Sequence, residues 1–304
     1  MRRKGSPNTA TKLAGALFGA LGVLILARAV AGLGSDRRAR LPVEAAPSQS
    51  LTNAPPYSAF RRVVIAYVAQ HEGGQIGTSA INANSDGAGL SYGLIQWAQR
   101  PGGLGKVLAK MQQRDPQAFA QTFGIPWQDL LRVTNASDEA GRMAPVGGVL
   151  LWQEPWISRF RQSGAYLPFV EAQWDMAENG EHMKGAEKAA RILGVFSQRA
   201  LTLLYDRAVQ QGAYAIPKHA QEVADRYAAQ GVRPSERQIL LDFQRQAASG
   251  FSSANQPGSS WRPVGDVWHK FRGSIDLYAD VMKRSDHVLN DPMLSDAPLP
   301  GFPR

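Results

Sequence analysis

Residues 71–97 read "HEGGQIGTSAINANSDGAGLSYGLIQW", and the fold turns on this stretch. Just before it, Phe60, Val63, Val64, Tyr67, Val68 and His71 recur at helical spacing. A helix is therefore predicted to end at Glu72, with Gly73 and Gly74 as natural stops. The period then changes. Asp86-Gly87 is a hairpin turn signal, and Leu90, Tyr92 and Leu94 alternate with Ser91 and Gly93. The pattern predicts a small antiparallel sheet over residues 80–97. Glu72 and Asp86 are the only acids in the stretch.

The two carboxyls should meet unlike surroundings. Glu72 emerges where an apolar helix face meets the rest of the fold. A partly desolvated carboxyl holds its proton to higher pH, as a general acid requires. Asp86 lies in a turn of Gly, Asn and Ser, where water and hydrogen-bond donors keep a carboxylate ionised. Such a pair can carry out glycoside hydrolysis. The pair alone is equally a helix-end surface acid and an ordinary turn aspartate.

Outward from this stretch the pattern is mostly helical. Leu201, Leu204, Tyr205, Ala208 and Val209 follow helical spacing, as do Ile239, Leu240 and Phe243, and then Ile275, Tyr278, Ala279 and Met282. The run "RPGGLGK" (100–106) lacks Walker spacing and reads as a turn into a helix at 107–111. The expected fold class is mainly α (α+β), with a small antiparallel β-hairpin or sheet at the site. The folded domain is expected over 57–290, followed by a Pro-rich tail at 291–304.

The N-terminus has a different character. Residues 1–12 are basic. Residues 13–33 are apolar apart from Arg28, long enough to span a membrane if that arginine snorkels. The same pattern fits a signal peptide, with small-x-small sites at 27–29 and 29–31. Residues 34–56 are polar, carry several prolines and read as a flexible linker. The expected arrangement is an inner-membrane anchor with the domain in the periplasm or another extracytoplasmic space. Secretion after cleavage is the alternative.

Composition narrows the chemistry. Among 304 residues, 44% are hydrophobic and 19% charged, so a substantial core can form. The absence of cysteine excludes disulfides, thiol nucleophiles and thiolate metal sites. None of His71, His182, His219, His269 and His287 forms a ligand pair at helical spacing, so neither a metal nor another cofactor is expected. Ser91 lacks the elbow spacing of an acyl-transfer nucleophile. The net charge of +9 favours an anionic partner. No basic run interleaved with aromatics points to nucleic acid, and none is expected as a partner.

The segment "DGAGLSYG" (86–93) closely resembles the aspartate-turn-strand motif of the family 46 glycoside hydrolases, the chitosanases. That motif runs Asp-Gly-x-Gly-x-Thr-x-Gly, and Ser91 stands here in place of Thr. The resemblance implies a lysozyme-like, two-lobed helical domain. It assigns Glu72 as general acid, Asp86 as the group that activates water, and Ser91 as the hydroxyl that helps hold it. Phage-type lysozymes use a similar arrangement.

A second resemblance lies in residues 171–212. "YDRAVQQG" keeps Tyr205, Asp206, Ala208 and Gly212 of the chitosanase ending but has Gln211 where His is usual. Asp206 can support the site through a buried charge network, or be a helix-surface acid. "SYGLIQW" (91–97) is similar to a turn of lytic transglycosylases, which makes Gln96 a sugar contact or an exposed strand-end residue. Asn82 and Asn84 can hydrogen-bond sugar or serve the turn. Tyr92 joins them as a substrate-binding candidate. Trp97, Trp127, Trp152, Trp156 and Trp174 can be sugar platforms or core.

Chitosan is a polycation and peptidoglycan is anionic, so the basic chain suits peptidoglycan. The expected function is a lysozyme-type glycoside hydrolase cleaving β-1,4 bonds of an amino-sugar polymer by an inverting acid/base mechanism. The alternatives are a chitosanase, a lytic transglycosylase and a catalytically inactive wall-binding module.

Overall fold

A computed structural model describes residues 56–255, 258–272 and 274–302. The segments expected at 1–12, 13–33 and 34–56 lie outside the described residues, apart from Pro56, which opens the first helix. Among the described residues no helix is long and apolar enough to cross a membrane.

Helix α1 (Pro56–Gly73) stops at the glycine pair and passes through a 3-10 turn (Gly74–Ser79) into the first sheet. It buries Val64, Ile65 and Val68, one helical stripe, against later helices. The sheet comprises β1 (Ile81–Ala83), β2 (Leu90–Tyr92) and β3 (Trp97–Ala98) in the antiparallel order β1-β2-β3. Six helices follow: α2 (Gly103–Arg114), α3 (Pro116–Phe123), α4 (Trp127–Thr134), α5 (Glu139–Arg142), α6 (Trp156–Ser163) and α7 (Leu167–Asn179). Their core is aromatic. Phe119, Phe123, Phe160 and Phe169 are fully buried, and the rings of Phe119 and Phe123 pack tilted with centroids 4.6 Å apart.

The second half is built around α9 (Gln198–Gln211), flanked by α8 (Glu181–Leu193), α10 (Ala215–Gln230) and α11 (Glu236–Ser249). Every residue of α9 from Arg199 to Ala208 is buried. A helix enclosed all round must pair any charge it carries. Arg199 does so by donating to the carbonyls of Val288, Leu289, Asp291 and Leu294.

Two expectations are corrected here. A second sheet stands at 252–276: β4 (Ser252–Ser253), β5 (Trp261–Val264), β6 (Val267–Arg272) and β7 (Ile275–Asp276). Ile275 therefore belongs to a strand, and the last helix, α12 (Leu277–Asn290), begins after it. The Pro-rich stretch 291–302 is packed rather than free. Leu294, Leu299 and Phe302 are buried, and Leu299 N–H donates to the Phe196 carbonyl at 2.7 Å. Isolated apolar residues between prolines anchor it without a regular period.

Candidate active site

The site begins with the turn between β1 and β2. Gly87 and Gly89 take φ of +77° and +76°, which only glycine adopts without strain. Asn84 has φ of 65°, and its Oδ1 accepts the Gly89 N–H at 2.9 Å. Asn82 Oδ1 accepts from both N–H and hydroxyl of Ser85, at 3.0 and 2.8 Å. Both asparagines are thus turn formers. Asn82 also lines the cleft described next, whereas Asn84 is not among its walls.

That cleft has a volume of about 1210 Å³. One wall comes from the first sheet and its turn, with Asn82, Asp86, Ser91, Gln96 and Trp97. The other comes from the start of α8 and the α9–α10 junction, with His182, Gln211 and Tyr214. Arg272 of the second sheet closes one side. Asp86 Oδ1 accepts the Ala88 N–H at 3.1 Å, and its Oδ2 stands 3.8 Å from the Arg272 guanidinium.

Strand β2 sorts its side chains by the period of two. Ser91 pairs with Asn82 and lines the cleft. Tyr92 points the opposite way and is fully buried, bonded through its hydroxyl to Ser163 Oγ at 2.8 Å and Gln173 Nε2 at 3.0 Å. Tyr92 is a core residue and not a sugar contact. Two residues with alternate faces cannot both serve one cleft, and the hydrophobic side of the sheet claims the tyrosine. Gln96 lines the cleft, with a φ of 53°, and its Nε2 donates to the Gly93 carbonyl at 3.0 Å.

Glu72 is the next-to-last residue of α1. His71 before it packs edge-on to His287 at 4.8 Å and against Tyr67 at 5.1 Å. Burial, then His287 and Arg284, push the His71 pKa down. Asp206 lines the same small hollow as His71 and His287. It is buried, and accepts from Arg207 Nε at 3.1 Å and Arg284 Nη2 at 2.7 Å. Burial alone would raise its pKa. The two guanidinium groups outweigh that and hold the carboxyl below its ordinary value. Of the two readings of Asp206, the surface acid is excluded.

Several cleft residues carry no sequence signal of their own. Arg100, Lys106, Arg142 and Arg272 line it alongside Glu139 and Glu181. Lys106 pairs with Glu181 at 2.9 Å, and Arg100 pairs with Glu139. Arg142 is held by the carbonyls of Arg100, Ala136 and Ser137. Of the five tryptophans considered, Trp97 lines the cleft. Trp156 is buried, with its indole N–H donated to the Val146 carbonyl at 3.3 Å, and Trp127 and Trp174 pack against the core. Among the described residues no group of His, Asp and Glu could hold a metal ion.

The fold has a solved counterpart. The chain is similar to the native chitosanase of Bacillus subtilis MY002, with a TM-score of 0.50 and 14% identity, over 76% of this chain and 86% of that one. No family model and no curated protein matches the sequence. The likeness shows a lysozyme-like α+β fold.

Proposed function

We propose that the chain is a glycoside hydrolase that cleaves β-1,4 bonds of peptidoglycan by an inverting mechanism. One observation carries the reading: Asp86 and Ser91, from the glycine-rich turn and from β2, line one cleft of a lysozyme-like fold. In the proposed reaction Glu72 donates its proton to the glycosidic oxygen as the bond to the anomeric carbon breaks. Asp86 takes a proton from the water that attacks the opposite face, and the Ser91 hydroxyl helps hold that water. Asp206 acts through its charge network behind the end of α1.

The cleft supports an anionic substrate. Its cations Arg100, Lys106, Arg142 and Arg272 outnumber its carboxylates Asp86, Glu139 and Glu181. A polycationic glycan would gain from the reverse balance. Chitosan is the second reading, favoured by the likeness to a chitosanase. Residues 13–33 are proposed to export the domain and hold it at the membrane beside the wall. Recovery of full-length chain in the cytoplasmic fraction of cells would refute this.

The deciding assay follows the turbidity of purified cell walls with wild-type protein beside Glu72→Gln. The variant keeps size and hydrogen bonding but cannot deliver a proton. Clearing by the wild type alone is expected. Equal clearing by a folded Glu72→Gln protein removes Glu72 as the acid, and clearing of chitosan instead of walls moves the substrate.

A further inference from the structure

The second sheet presents a face that, apart from Arg272 at its end, the proposed chemistry does not use. In β6, Trp268, Lys270 and Arg272 alternate with His269 and Phe271, so the two sets lie on opposite faces. The His269 face is the inner one. His269 is buried, its Nδ1 lies 2.7 Å from Asp276 Oδ2, and its ring packs on Tyr278 of α12 at 4.6 Å. The opposite face carries Trp268, Lys270 and Arg272. Register adds Trp261, directly across from Lys270, and Pro263, across from Trp268. Opposed residues of an antiparallel pair project on the same side. One face therefore holds two tryptophans on a cross-strand diagonal, with two cations beside them.

Trp261, Trp268 and Lys270 are each half-buried, and neither tryptophan belongs to the hydrophobic core or packs against it among the described residues. A tryptophan pair left half-open on a sheet face is a platform rather than core. The face is also continuous with the cleft, because Arg272 at its end lines the cleft and reaches to 3.8 Å from Asp86.

We propose that this face binds an anionic amino-sugar strand that runs on from the cleft, with Trp261 and Trp268 stacking on sugar rings and Lys270 and Arg272 meeting carboxylates. The occupant follows from two features. Flat aromatic platforms suit the apolar faces of sugar rings, and among the described residues the face carries cations and no carboxylate, which suits an anionic polymer. The proposal rests on the peptidoglycan reading of the cleft and extends it to long substrates. A processive or wall-retained enzyme gains from such a strip, because a product end stays bound while the next bond enters the cleft.

The test uses the full-length chain in the Glu72→Gln background, so that bound polymer is not degraded. Co-sedimentation with insoluble peptidoglycan is compared among this protein, Trp268→Ala and Lys270→Glu, with thermal melts as the fold control. Each variant is expected to weaken binding roughly tenfold, and raised salt should weaken it further. In the active background, turnover of short soluble glycan fragments should be unchanged while KM for intact walls rises. Lys270→Glu alters only a half-exposed side chain, so it decides the matter if Trp268→Ala fails to fold. Unchanged co-sedimentation of a folded Lys270→Glu protein overturns the strip, as does tighter binding to chitosan than to peptidoglycan. Weakened binding by the variants with no turnover by the wild type upholds the strip and removes the hydrolase reading. Normal turnover with unchanged binding does the reverse.

Discussion

Asp86 and Arg272 face each other at 3.8 Å across the edge of the cleft, one from the turn of the first sheet and the other from the end of the second. The pair joins two parts of the chain with no sequence relation. Its side chains are 24% and 56% exposed, so it is a surface-type contact and adds little to stability. Its importance lies in placing a cation beside the candidate base.

The mechanism is tested at Asp86. Asp86→Asn should lower wall hydrolysis by about 10²–10⁴-fold, the usual contribution of a positioned proton-transfer group. Ser91→Ala, which removes one hydroxyl from the same wall, should cost less. Products should be reducing sugars of inverted configuration, read by NMR of early digests. Anhydro-muramyl ends on mass spectrometry, with an active Asp86→Asn protein, would assign a lytic transglycosylase instead and leave Asp86 as a turn residue.

The two turn glycines should differ when changed to alanine. Both substitutions meet a left-handed backbone, costing about 1–2 kcal/mol. At Gly87 the added methyl meets open space. At Gly89 it would lie 2.6 Å from Gln99 Oε1. That glutamine accepts the Leu90 N–H at 3.1 Å and donates to the Arg142 carbonyl at 2.7 Å, so displacing it loosens the sheet from α5. Denaturant unfolding should show Gly89→Ala as the more destabilised variant. Equal losses would mean that the Gln99 contact is dispensable.

Tyr92→Phe separates core from site. Removing the hydroxyl between Ser163 and Gln173 should cost about 1–3 kcal/mol, since it leaves buried polar partners unmet. Specific activity measured well below the melting temperature should remain close to wild type. A large rise in KM at unchanged stability would return Tyr92 to the substrate.

The Asp206 network predicts a pH dependence with a definite sign. Its folded pKa lies below the unfolded value, so its contribution is present above about pH 4 and lost as pH falls through the folded pKa. Asp206→Asn should be less stable at neutral pH by about 3–5 kcal/mol, because the fully buried Arg207 loses its partner. From pH 4 downward the variant should lose stability less steeply than wild type. Parallel acid profiles would show that the network does not titrate with unfolding.

The sequence by itself determined what depends on near neighbours in the chain. Helical spacing at 60–71 and at 201–209 located α1 and α9, and the glycine pair at 73–74 marked where α1 stops. Turn chemistry at Asp86-Gly87 located the first sheet, and the motif around it carried the lysozyme-like fold class. The second hairpin was signalled too. Gly265-Asp266 sits between Val264 and Val267, which pair across a two-residue loop, but Pro263 in an edge strand masked the alternation.

Only the tertiary structure decided which face of each element meets which neighbour. Period two says that Ser91 and Tyr92 diverge but not which of them enters the hydrophobic core, and the aromatic core beneath the sheet settles that. Packing of 291–302 depends on Leu294, Leu299 and Phe302 finding cavities made by distant helices. Burial of Asp206 depends on Arg284 arriving from α12, and the Asp86–Arg272 contact on two sheets meeting at one edge of the cleft. Each is a long-range encounter whose energy lies in desolvation and pairing between segments far apart in sequence, so no local pattern records it.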